Sequence, residues 1–316
     1  MASNDDLHTK IIPVVLRTLI YYDIFNYPLT FEEISCACNI KSKEENPCKI
    51  AIDHLLNKKI VFKIDEYYSL NPDKKNVQRR KKGNQLAEKW IKKAKWFSKL
   101  ISIFPFVRGI SLSGSLSKGF IGDNPDIDYF IITKPNRLWL TRTMLVLFKK
   151  IFLFNSYKYF CVNYFIDTEN LEIEEKNLFT ATEINTLIPV YGRDVKRKFY
   201  EQNGWVTKYY PNFKAEDRVL ELNGQTSAVK NAFEALFNNR LGDWLDDYTM
   251  NVTVKHWAKK FYKKYSAEEF NLVFKSQKSI SKHHPRNYQN YVLKQYCNRV
   301  EKISEKHDIE MEGLFF

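Results

Sequence analysis

Apolar residues recur at helical spacing early in the chain. Val15, Leu16, Leu19 and Ile20 follow Pro13, a residue suited to the first turn of a helix. The pattern stops at Tyr27-Pro28, because the residue before proline is driven out of the helical region. Thr30 and Glu33 have capping-box spacing for a second helix, and Asn46-Pro47 opens a third with Ile50, Leu55 and Leu56 inward. The period then changes to two. Ile60, Phe62 and Ile64 alternate, Asp65-Glu66 can turn, and Tyr67 to Leu70 can return. Leu86, Trp90, Ile91, Ala94, Phe97 and Leu100 mark an amphipathic helix. Ile110 to Ser113 and Tyr129 to Ile132 read as short buried strands. The longest apolar run, Leu138 to Phe154, is broken by Arg142, Lys149 and Lys150. It predicts a buried helix, since a membrane span needs about 20 apolar residues. Val229 to Leu241, Val254 to Tyr265 and Tyr288 to Ile303 predict helices near the C-terminus.

These elements predict an α+β chain in four parts: residues 1–72, a connector at 73–100, a strand-containing part at 101–200, and a helical part at 201–316. Three short helices followed by a hairpin is the order of a winged helix-turn-helix unit. Such a unit can read DNA or dock a protein. Its third helix offers Lys49, Asp53, His54, Asn57, Lys58 and Lys59, with no arginine for bidentate contact to guanine. That favours docking or dimerisation over base reading. From Lys74 to Lys99 the connector carries eleven Lys or Arg against the single acid Glu88. Its outer face is either simply solvated or in contact with an anion, be it nucleic acid, substrate phosphate or lipid.

Composition narrows the classes. The chain has 316 residues, 44% hydrophobic and 28% charged, with ten Gly and ten Pro. It can bury cores and is neither collagen-like nor broadly disordered. The net charge of +13 points to an anionic partner. Met1 to Lys10 is polar and lacks a secretory pattern, and five cysteines at irregular spacing suggest free thiols, so the expected location is cytoplasmic. Cys36, Cys38, Cys48 and His54 match no common zinc spacing. His283-His284-Pro285 reads as a loop, and no Walker, dinucleotide or Gly-x-Ser-x-Gly motif occurs.

The chemistry concentrates in Ile110 to Thr133. A strand leads into the tight turn Gly114-Ser115, and a helix can start at Leu116, where exposed N–H groups suit an anion. Ten residues on, Asp126-Ile127-Asp128 enters the next strand. Residues two apart on a strand share a face, so the two carboxylates project together. They repel unless a cation lies between them, and oxygen ligands of this kind suit Mg²⁺ or Mn²⁺ shared with substrate phosphates.

Gly114-Ser115, ten residues, then Asp126-x-Asp128 resembles the signature of the DNA polymerase beta nucleotidyltransferase superfamily. Phe106 to Ser115, Leu138 to Arg142, Cys161 to Phe165, and Thr182 to Ile184 through Pro189 to Gly192 further resemble an uncharacterised bacterial group of winged-helix nucleotidyltransferase proteins. The resemblance implies transfer of a nucleotidyl group from an NTP to a hydroxyl-type acceptor, with pyrophosphate released. It implies that Gly114 and Ser115 contact the triphosphate and that Asp126 and Asp128 bind metal. Lys118 and Arg142 are candidate phosphate contacts, and for Arg137 a capping or surface role fits better. The superfamily adds a third carboxylate on a later strand, here Tyr159 to Ile166. Counting by twos puts Cys161, Asn163, Phe165 and Asp167 on one side, so Asp167 is the candidate and Asn163 is better centred. Glu183 is a candidate base or a salt-bridge partner, and Asp123 a turn residue. The alternative is a non-catalytic nucleotide-sensing or DNA- or protein-binding module.

Overall fold

The computed structural model describes residues 11–37, 47–213, 220, 227–261 and 263–311. Those residues form an α+β arrangement of twelve α-helices, a three-stranded sheet and a mixed six-stranded sheet.

Helix α1 (Ile12–Asp23) carries proline in its first turn and buries Val15, Leu16, Leu19 and Ile20. After β1 (Leu29–Thr30), α2 (Phe31–Ser35) starts at a complete capping box. The Glu33 N–H donates to Thr30 Oγ1 at 3.4 Å, and the Thr30 N–H donates to Glu33 Oε2 at 2.9 Å. Helix α3 (Pro47–Asn57) begins at the expected proline, and Asn46 lies outside the described residues. The hairpin forms as β2 (Phe62–Ile64) and β3 (Tyr67–Ser69), turning at Asp65 with φ 55°. With β1 the order is β1-β3-β2, antiparallel throughout.

The connector is one helix, α4 (Lys74–Ser102), of 29 residues, about 44 Å long. Its basic residues do not all face water. Arg80 is buried, lies 4.4 Å from both the Tyr27 and Tyr67 rings, and donates to the Pro28 carbonyl and to Glu33. It thereby fastens α4 to the N-terminal helices.

Next come β4 (Val107–Ser113), the single turn α5 (Gly114–Ser117), β5 (Asp128–Thr133), α6 (Leu138–Phe152) and β6 (Cys161–Asp167). They are followed by α7 (Leu178–Thr186), β7 (Ile188–Tyr191) and α8 (Arg193–Gln202). The remaining elements are α9 (Ala228–Phe237), α10 (Arg240–Phe261), α11 (Ala267–Val273), β8 (Ser276–Gln277), β9 (Ile280–Lys282) and α12 (Tyr288–His307). The sheet order is β7-β4-β5-β6-β9-β8, and only β5 and β6 run parallel, joined through α6. Strands β8 and β9 are two short strands that the expectation of a helical part after residue 200 did not include.

Each sheet face carries its own core. Ile110, Leu112, Tyr129, Ile131 and Phe165 pack with Trp90 and Ala94 of α4, Trp139 and Leu145 of α6, and Trp257 of α10. Phe130, Ile132 and Ile166 pack on the other face with Ile184 of α7 and Phe199 and Tyr200 of α8. Helix α12 joins a third core with α1 through Val292, Tyr296 and Val300. No described helix is long and apolar enough to cross a membrane. Cys161 and Cys297 are free, but Cys48 is disulfide-bonded, which corrects the expectation of free thiols throughout.

Candidate functional site

The site forms where β4 ends and β5 begins. Ser113 pairs with Asp128, and Gly114 turns the chain at φ +68°. A Cβ on Gly114 would lie 2.3 Å from Asp128 Oδ2, so only glycine leaves the carboxylate its place. Helix α5 is a single turn ending at Lys118, shorter than the helix expected from Leu116 onward. Ser115 is exposed on it, and its carbonyl accepts from the Lys118 and Phe120 amides at 3.1 Å each.

Asp126 precedes β5, and fully buried Ile127 anchors the segment between the two acids. Ligand atoms of Asp126, Asp128 and Cys161 all lie within 4.8 Å of one another. Among the described residues this is the one group of three or more potential metal ligands. Burial, reinforced by the Asp126 charge, pushes the Asp128 carboxyl up to about 7. Burial also raises Asp126, against the pull of the Arg286 guanidinium. The Cys161 thiol is pushed up by burial and then by both carboxylates, so it stays protonated. Asn163 Nδ2 donates to Asp128 Oδ1 at 3.1 Å and contacts Cys161 Sγ at 3.0 Å. Two crowded, enclosed carboxylates whose charge is disfavoured are a donor set that a hard divalent cation stabilises.

Lys118 stands at this site but is already engaged. Its ammonium donates to Glu183 Oε1 at 2.8 Å and to the Gly114 carbonyl at 3.1 Å. Glu183 is therefore a salt-bridge partner, and its charge also reaches Asp128.

Two expected site residues are not brought here. Asp167 pairs with Thr133, five residues along β5 from Asp128, roughly 17 Å away. It also points to the other face. The β5–β6 register shifts between Tyr129 and Phe130, which pair with Val162 and Tyr164, so Asn163 is an inserted bulge residue. A one-residue bulge inverts every later side chain. Counting by twos therefore fails past Asn163. Asp167 instead caps a turn, accepting from the Glu169 and Asn170 amides at 2.9 Å and from Asn170 Nδ2 at 3.0 Å. Arg142 is likewise elsewhere. It is buried on α6, 4.6 Å from the Trp257 ring, in the core beneath the opposite face. Burial lowers its pKa to about 10.

Arg137 is neither on the surface nor a side-chain cap: it is buried and makes no cap hydrogen bond to its helix. It donates to Asp243 and to the carbonyls of Phe237 and Asn239, tying α6 to α9 and α10. His283 and His284 are partly buried, and desolvation lowers them to about 3 and about 4. Cys38 of the cysteine set lies outside the described residues. Sequence reasoning missed Arg286 as a neighbour of the carboxylates and placed Cys161 on the right side of its strand without giving it a role. Cys161 reaches Asp128 through strand register and Arg286 through the loop before α12, and neither has a local signal.

No family model, curated protein or solved structure matches this chain.

Proposed function

We propose that the chain is a metal-dependent nucleotidyltransferase of the polymerase-beta kind, with an N-terminal winged helix. The observation that carries this reading is the Asp126–Asp128 pair, with Asp128 packed so closely on the Gly114 turn that no Cβ fits between the two. Asp126 and Asp128 would hold Mg²⁺ or Mn²⁺, which supplies charge neutralisation at the phosphates. Gly114 and Ser115 present the turn to the nucleotide. In the reaction the acceptor hydroxyl oxygen bonds to the α-phosphorus, the bond to the β-phosphate oxygen breaks, and pyrophosphate leaves. The acceptor's proton passes to solvent. Lys118, held by Glu183, keeps a positive charge beside the Gly114 carbonyl.

One observation favours a second reading, a module that binds nucleotide without turnover. Strand β6 sets Cys161 and Asn163 opposite Asp128, where the resemblance calls for a third carboxylate. In that reading the exposed Lys49, Asp53 and Asn57 of α3, Lys58 and Lys59 just after it, and the outer lysines of α4 would hold a protein or nucleic acid.

Four α-labelled NTPs, with Mg²⁺ or Mn²⁺ and a cell lysate as acceptor source, separate the two. The wild type should label an acceptor, and Asp126→Ala/Asp128→Ala should lower that at least about 100-fold. Nucleotide binding without label transfer in any fraction would leave the second reading.

A further inference from the structure

We propose that the second half of α4 and the end of α6, with the loop after it, form a docking surface for an anionic lipid bilayer. Large apolar side chains stand out in water here. Trp96 is 63% exposed, Leu147 49%, Ile151 64%, Phe152 64% and Phe154 93%. Phe154 and Asn155 turn the loop with φ of 47° and 59°. That is a conformation a bulky residue rarely adopts, and here it leaves Phe154 projecting at the tip. Single exposed apolar residues are ordinary, but a cluster of this size marks an interaction surface.

The two elements form one surface. The Trp96 ring lies 4.8 Å from Phe97, which stacks on Tyr159 of the loop at 5.6 Å. Lys93 Nζ sits 5.1 Å from the Tyr159 ring, and Lys158 Nζ sits 5.8 Å from the Trp90 ring. Phe148 stacks on Phe152 at 4.9 Å, carrying the patch back onto α6.

Charge selects the occupant. Lys92, Lys93, Lys99, Lys150 and Lys158 are exposed around the apolar tips. No acid occurs from Lys89 to Gly122 or from Tyr129 to Ile166. A symmetric contact with a second copy would set these lysines against themselves. Leu147 and Ile151 have no flat face to stack on a base, so a nucleic acid would leave them in water. A bilayer with anionic headgroups satisfies both features. The lysines meet the headgroups, and Ile151, Phe152 and Phe154 reach the acyl boundary.

Cosedimentation of the full chain with vesicles tests this, comparing phosphatidylcholine alone with phosphatidylcholine plus phosphatidylserine. The chain should pellet with the anionic vesicles, and less so as salt rises. Ile151→Ser/Phe154→Ser should weaken partitioning at least about tenfold. Lys150→Glu/Lys158→Glu should do so by a similar factor, about fivefold or more for each lysine. All four side chains are exposed, and unchanged thermal melts would show that the fold is kept. Equal pelleting by wild type and variants would overturn the proposal, as would absence from both vesicle types. Dimerisation abolished by the Phe154 variant, or oligonucleotide binding lost in the lysine variant without vesicle binding, would overturn it in favour of those partners.

Discussion

At Gly114 the backbone and the Asp128 carboxylate compete for the same space. A methyl group there would meet Asp128 Oδ2 at 2.3 Å on a backbone with φ +68°. Gly114→Ala should therefore destabilise the chain by about 1–3 kcal/mol in urea unfolding. It should also displace Asp128 and weaken Mn²⁺ binding. Asp167 gives the contrast. It is buried and accepts three hydrogen bonds within its own turn. Asp167→Asn should lower stability by about 1–3 kcal/mol and leave Mn²⁺ affinity within twofold or so of wild type. Loss of Mn²⁺ binding in that variant would restore Asp167 to the site. The acidic pair was legible in the sequence because its spacing is local: two residues apart, ten from the turn. Asp167 was misplaced because one inserted residue, Asn163, inverts the alternation that the count assumed. Nothing in Cys161-Val162-Asn163-Tyr164 marks a bulge.

Helices with a local period or a side-chain cap were the easiest elements to read, because both signals lie within the segment itself. Helix α4 runs as one amphipathic rod, and α2 begins at the Thr30–Glu33 box. Strands β8 and β9 were not read. They span two and three residues, and the strand that β9 joins, β6, lies more than a hundred residues earlier. The same kind of long-range contact sets a pH dependence at the start of α6. Asp246 of α10 is fully buried, its Oδ1 accepts the Leu140 amide at 2.8 Å, and its Oδ2 has no hydrogen-bond partner among the described residues. Burial raises its pKa from 3.8 to about 6. The folded chain therefore binds more protons than the unfolded chain between those values. Stability should fall as pH rises through that window, by about 1–3 kcal/mol. Asp246→Asn keeps the acceptor for Leu140 and should flatten that part of the curve. Chemical unfolding of both proteins at pH 4, 5 and 6 measures the difference, and parallel curves would refute it.

Across the whole molecule, three cores are linked by a few long-range contacts. Arg80 joins α4 to the N-terminal helices, Arg137 joins α6 to α9 and α10, and α12 returns to pack on α1. The carboxylate pair sits at the end of the central strand β5, between the two packed layers. Its neighbours arrive from β6, from α7 through Glu183, and from the loop before α12 through Arg286. A site assembled from segments this far apart can be anticipated from sequence only at its local motif. The central claim is that Asp126 and Asp128 hold a divalent cation for a nucleotide. The most direct measurement is electron paramagnetic resonance titration of Mn²⁺, with and without a non-hydrolysable NTP analogue. Wild type should remove free Mn²⁺ signal, more strongly with the nucleotide present, and Asp126→Asn/Asp128→Asn should not. Equal Mn²⁺ uptake by both proteins, or none by either, would contradict the account.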